Sequence, residues 1–169
     1  MIYVVGCNHG IQPRDEDWPR GDTPEARDQK SRFTKLIAET IKEGEIQFVG
    51  EEWGRVETTI AHELAENCGI PWANINTSTA DLKRMGIPCD YVKVPFTPEQ
   101  KERWHRQREQ FMLRRIQENR GAAQNLLIVC GFEHLQPLSD LLGRGGTTVA
   151  PVDYRKLDWY QPGVFSEDP

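Results

Sequence analysis

Two short runs of this chain are apolar at every position, Ile2 to Val5 and Leu126 to Cys130. A strand without polar alternation has both faces covered, which is the condition of inner strands in a parallel sheet layered by helices. Helical periodicity supplies the layers. Phe33, Leu36, Ile37 and Ile41 recur at helical spacing ahead of Gly44, and Ile60, Ala61, Leu64, Ala65 and Cys68 do so ahead of Gly69. Between them Ile46 to Val49 reads as a second strand, and Trp72 to Ile75 as a third, followed by a short helix from Thr79 to Met85. Pro95 and Pro98 lead into the longest helix, Glu99 to Asn119, which Gly121 stops. Leu126 to Cys130, a helix from His134 to Leu142 and a fifth strand within Thr147 to Val152 complete the pattern. The alternation predicts an α/β fold, a three-layer sandwich with a mostly parallel sheet of about four to five strands and helices on both faces.

A length of 169 residues suits one domain, able to bury about 70% of its unfolded surface without a covalent staple. That domain is expected over residues 1–152, with a tail, 153–169, that carries Trp159 and Tyr160 without periodicity and packs on the domain or extends from it. The net charge of −5 argues against a protein that neutralises phosphates along nucleic acid. No apolar run approaches the ~20 residues of a membrane span and no signal peptide is evident, so a cytoplasmic protein is expected, with no membrane partner. Cys7, Cys68, Cys89 and Cys130 form no CxxC pair and read as buried free thiols.

Both apolar runs end in the same phrase. Gly6-Cys7-Asn8-His9 follows the first and Gly131-Phe132-Glu133-His134 follows the last. Glycine permits a sharp turn off a strand end, and histidine titrates nearest neutrality and is the commonest metal ligand. In parallel α/β sheets ligands bind beyond the carboxyl ends of the strands. His9, His134 and the acidic pair in Gly50-Glu51-Glu52-Trp53-Gly54 all fall on that edge. Two histidines and a carboxylate have the composition of a catalytic metal site, and without a metal they could act as acid and base. Glu51, directly after the strand glycine, is the preferred carboxylate and Glu52 the alternative. The expected cofactor is a divalent metal ion, bound by His9, Glu51 and His134.

On the long helix, Trp104, Arg108, Phe111 and Met112 recur so that Arg108 lies on or beside the apolar stripe, where a guanidinium needs a carboxylate or an anionic ligand. Glu109 reads as its partner or as an independent functional group. His105, in a strongly charged stretch, is expected to be exposed, and His62 with Glu66 to form a surface pair. The polar segment from Gly10 to Lys30 reads as a long loop beside His9, either a lid or a surface loop.

The ordered set Gly6-x-x-His9, Glu51-Glu52, Arg108-Glu109-x-x-Met112 and Gly131-x-x-His134-Leu135 resembles the motifs of the erythromycin esterase/ChaN-like superfamily, which includes TraB proteins and Tiki metalloproteases. The resemblance spans residues 6–135 and implies an α/β core with a site formed by His9, Glu51, Arg108 and His134. With the site residues it supports the expectation of a small metal-dependent hydrolase of an ester, amide or related bond, acting on a small molecule whose identity the resemblance does not give. A haem-binding branch of the same superfamily keeps open the alternative of a non-catalytic module for a small ligand, nucleotide or haem.

Overall fold

In the computed structural model, which describes residues 1–13, 23–54, 58–88 and 97–165, the two apolar runs lie side by side. Strand β1 (Ile2–Cys7) pairs in parallel with β4 (Leu126–Gly131), Ile2 opposite Leu126 and Cys7 opposite Gly131. The strand β4 is buried at every position, and β1 at every position but Tyr3. Around them lie β2 (Phe48–Glu51), β3 (Trp72–Asn74) and β5 (Val149–Asp153), making a five-stranded, all-parallel sheet in the order β3-β2-β4-β1-β5.

Strand alternation sorts the side chains into two cores. Val5, Cys7, Val49, Leu127 and Val129 meet helices α1 (Pro24–Glu43) and α2 (Ile60–Asn67) through Phe33, Ile37, Ile41, Ala61 and Ala65. Ile2, Val4, Phe48, Leu126, Ile128 and Cys130 face the other way. There they meet α4 (Pro98–Asn119) and α5 (Phe132–Gly143) through Met112, Ile116, Leu135 and Leu138. Each Leu or Ile removed from water in this way is worth about 1.5–3 kcal/mol, so the three layers are held mainly by the two apolar seams. A short α3 (Thr79–Arg84) precedes α4, closed at its start by a capping box between Ser78 and Asp81. No helix of the described residues is long and apolar enough to cross a membrane.

Several boundaries differ from expectation for local reasons. The second strand begins two residues late because Ile46 belongs to the stop of α1: its N–H bonds the Ile41 carbonyl at 3.1 Å after Glu45 turns at φ 48°. The strand therefore continues through Glu51. The polar segment after Gly10 is not all loop. Thr23 caps α1, Pro24 takes its first turn, and buried Ala26 and Gln29 extend the stripe of Phe33 back by two turns. Residues 14–22 of that segment lie outside the described residues, as does Cys89. Cys7 and Cys130 are buried, whereas Cys68, at the exposed end of α2, is not.

The C-terminal segment completes the α1 side. Tyr154 and Phe165 are buried in that core, and Phe132, Trp159 and Tyr160 surround the Tyr154 ring.

A candidate metal and acid–base site at the carboxyl edge

Because β2 runs to Glu51, the adjacent glutamates leave the sheet on opposite faces. Glu51 follows Val49 toward α2, and Glu52 follows Phe48 and Gly50 toward α4 and α5. Glu52, not the preferred Glu51, stands among the other three expected residues. Its Oε1 accepts from Arg108 Nη2 at 2.5 Å and its Oε2 from the Gly131 N–H at 2.8 Å. His134 Nε2 lies 3.6 Å from Oε1 and His9 Nε2 lies 3.9 Å from Oε2. Burial pushes the Glu52 pKa up, and the charges of His134, His9 and Arg108 with the Gly131 N–H outweigh it, holding the carboxyl below its ordinary value. Arg108 also gives Nη2 to Asn76 Oδ1 at 3.2 Å, and its carboxylate partner is Glu52 rather than the neighbouring Glu109, which faces His134.

The glycines of the two repeated phrases do not serve as turns. Neither has a positive φ, and Gly131 is extended at φ −62°, ψ 151°. They permit close approach instead. A Cβ on Gly131 would sit 2.9 Å from His9 Nε2 and 3.5 Å from Glu52 Oε2. A Cβ on Gly6 would sit 2.9 Å from both Cβ and Cδ2 of Leu135, the residue after His134. Each phrase leaves room for the neighbour of the other.

His134 stands in the first turn of α5, with each ring nitrogen near a carboxylate. Its Nδ1 is 3.0 Å from Glu109 Oε1, and both side chains are 4% exposed. His105, one turn before Glu109 on α4, is half-buried rather than exposed, its ring 5.1 Å from that of His134 and its Nε2 3.3 Å from Glu133 Oε2. His105, Glu109 and His134 offer ligand atoms that all lie within 4.8 Å of one another, a cluster able to hold a metal ion. Burial and the neighbouring His134 hold the His105 pKa below the usual imidazole value, favouring the neutral ring that metal binding requires. This cluster shares only His134 with the expected ligand set of His9, Glu51 and His134. Cys130, beneath the site, is kept a thiol by burial and by the charges of Glu52 and Glu109.

Comparison with protein-family models, with curated proteins and with solved structures finds no match.

His9 opens a single 3-10 turn, His9–Ile11, capped by Asn8, whose side-chain oxygen accepts from the Gly10 N–H at 2.7 Å. The Asn8 amide donates to the Phe165 carbonyl, tying the turn to the C-terminal segment. The His9 side chain is 47% exposed, in contrast to the buried Glu52 and His134, so it is the member of the group open to solvent. Its Nδ1 lies 2.6 Å from Oε1 of the buried Gln12.

On the opposite face Glu51 is fully buried and accepts from Gln12 Nε2 and Trp72 Nε1, each at 3.0 Å, and from the Thr59 hydroxyl. His62, expected to pair with Glu66, instead stacks on Trp72 at 4.0 Å. Burial raises the Glu51 pKa to about 7 against the lowering by these hydrogen bonds. A carboxyl raised from 4.5 when unfolded contributes stability that is complete below pH 4.5 and lost as pH rises through about 7, roughly 3 kcal/mol in all. Glu51→Gln is therefore expected to flatten the fall in stability across that window. Denaturant titrations of both proteins at intervals between pH 4.5 and 8 check this, and parallel curves would refute it.

His105, Gln12 and Thr59 were absent from the sequence-based site. Only His105 carried a usable signal there: residues 105, 109, 112 and 116 follow helical spacing, placing His105 on the same stripe as buried Glu109, Met112 and Ile116.

Proposed function

We propose that this chain is a small metal-dependent hydrolase acting on ester or amide bonds at the carboxyl edge of its sheet. The observation that carries the reading is the arrangement about His134. One ring nitrogen meets Glu109 beside His105, and the other faces a carboxylate that Arg108 and the Gly131 N–H hold in place. Two imidazoles and a carboxylate are the protein ligands of many catalytic zinc sites, which leave one position for water or substrate. A divalent cation held by His105, Glu109 and His134 would supply a more acidic water and polarise a carbonyl. His134 would then use Nδ1 as ligand, with Nε2 facing the Glu52 carboxylate at 3.6 Å, a charge contact longer than a hydrogen bond.

The remaining residues divide the proton work. His9, exposed and with Nε2 directed toward Glu52, takes a proton from the attacking water and returns it to the leaving group. Glu52 stabilises the imidazolium that results. Arg108 keeps Glu52 anionic through Nη2, and its buried Nε has no partner among the described residues, so the guanidinium can also orient an anionic substrate group. The motif order that resembles the erythromycin esterase/ChaN-like superfamily supports hydrolysis at this edge.

Metal analysis of protein purified without a histidine tag tests the reading, alongside a screen of ester and amide substrates. His105→Ala and Glu109→Gln are expected to lose both metal and activity. His9→Ala should keep the metal and lose roughly 10²–10⁴-fold in rate, the usual worth of a general base. Metal content indifferent to His105 and Glu109 sinks the ligand assignment. Metal bound through them without any turnover would instead mark a ligand-binding module without chemistry.

A further inference from the structure

Hydrolysis as described uses neither Glu51 nor Gln12, although both are fully buried beside the site. We infer that they are positioning residues, which together dictate that His9 carries its proton on Nδ1 and presents Nε2 as a free lone pair. The inference rests on the proposed hydrolase only for the use to which that lone pair is put.

The Gln12 amide has one permitted orientation. Its Nε2 faces two acceptors, Glu51 Oε1 at 3.0 Å and the Glu52 backbone carbonyl at 3.3 Å. Turning the amide over would set its oxygen against both, with no hydrogen between. The amide oxygen must therefore face His9 Nδ1, 2.6 Å away, and an amide oxygen only accepts. The hydrogen in that contact belongs to Nδ1. Nε2 is the nitrogen over Gly131, 3.9 Å from Glu52.

Glu51 is where the directions of these bonds are decided. The Trp72 indole can only donate, and it donates to Oε2 at 3.0 Å. Thr59 Oγ1 already accepts from the His62 N–H at 3.1 Å as the cap of α2, and its hydroxyl hydrogen goes to the same Oε2. Gln12 donates to Oε1. Above pH 7, with Glu51 ionised, all three donors converge on one carboxylate, which leaves His9 as the far end of a one-way chain, His9 to Gln12 to Glu51.

Replacing that carboxylate by an amide breaks the direction of the chain. In Glu51→Gln the new oxygen must stay on the Thr59 and Trp72 donors, so the new NH₂ group turns toward Gln12. Two NH₂ groups then face each other. Gln12 relieves this closer conflict by turning over, although its oxygen then faces the Glu52 carbonyl at 3.3 Å. The turn presents N–H to His9 Nδ1 and moves the ring proton to Nε2. Gln12→Leu removes the constraint altogether, leaving the ring free to populate both tautomers.

Ring ¹⁵N NMR of the neutral histidines at about pH 8, above the Glu51 pKa of about 7, with the His9 signals identified by their loss in His9→Ala, reads the tautomer without reference to activity. The parent is expected to show Nδ1–H at His9, Glu51→Gln to show Nε2–H, and Gln12→Leu a mixture. If the parent shows Nε2–H, or if both variants keep the parental tautomer, the inference is overturned. Should Glu51→Gln fail to fold, the parent and Gln12→Leu spectra decide alone. Under the hydrolase reading Glu51→Gln also loses roughly 10²–10⁴-fold in rate, because Nε2 can no longer accept a proton. A tautomer that inverts as expected in a protein with no hydrolytic activity upholds this inference and discards the hydrolase.

Discussion

Replacing Glu52 by glutamine is expected to lower the unfolding free energy at pH 7 by about 3–5 kcal/mol, the range for removing one partner of a buried ion pair. Both carboxylate oxygens face donors, Arg108 Nη2 on one side and the Gly131 N–H on the other. An amide offers one oxygen, so whichever way it turns, its NH₂ group meets a donor. Arg108 keeps Asn76 and is 16% exposed, which sets the loss near the lower end of the range. The pH dependence runs opposite to that of the neighbouring glutamate. Glu52 is held below 4.5 in the folded protein, so its contribution is complete above the unfolded value of 4.5 and is lost as pH falls through the lower folded one. Parent and variant should therefore converge in acid. Urea titrations at pH 7 and down an acid series measure both effects. A variant within 1 kcal/mol of the parent at pH 7 would show that Glu52 is not the electrostatic centre of the site, since a surface pair commonly contributes about that much.

The layered α/β fold was legible because its inner strands cannot hide: Ile2 to Val5 and Leu126 to Cys130 admit no polar face, and the helical stripes between them repeat over two or more turns. The edge on which the site lies followed from the same alternation. Which glutamate faces the histidines did not follow, because it depends on where β2 ends, and the apolar Ile46 looked like strand while serving as the stop of α1. A shift of two residues preserves the face of every side chain, so the strand's core residues were placed correctly even as its end was not. What the shift changed was the reading of Glu51 and Glu52, from a loop pair to two residues on opposite faces. Gln12 was illegible for a different reason. A buried glutamine is ordinary polar sequence until the acceptors around it are known, and those come from β2, 39 residues away, and from the backbone after it. His105 was hidden by composition: the charged residues around it suggested solvent, while its spacing from Glu109 and Met112 pointed inward.

The two repeated glycines are expected to fail in different ways when each receives a single methyl group. In Gly6→Ala the new Cβ lies 2.9 Å from the Cβ of Leu135, an atom fixed to the backbone of α5, so the strain cannot be relieved by a rotamer. The helix must move off β1, at a cost of about 1–3 kcal/mol for an overpacked core, and His134 moves with it. In Gly131→Ala the obstructed atom is Nε2 of His9, the far end of a side chain that is 47% exposed and can swing into solvent. The swing takes Nδ1 from the buried Gln12 oxygen, so the fold should lose about 1 kcal/mol, the net worth of one hydrogen bond, with no overpacking added. The site should not tolerate the change, because Nε2 leaves Glu52 and Nδ1 leaves Gln12. Under the hydrolase reading, Gly131→Ala therefore loses rate by roughly 10²-fold or more, while metal held by His105, Glu109 and His134 stays. Thermal or urea unfolding, metal content and rate, measured on both variants, separate the two cases. If Gly131→Ala destabilised the protein as much as Gly6→Ala, the imidazole over Gly131 would be part of the packed core. If Gly6→Ala were neutral, α5 would not be held against β1 by Leu135, and the tie between the first phrase and His134 would be lost.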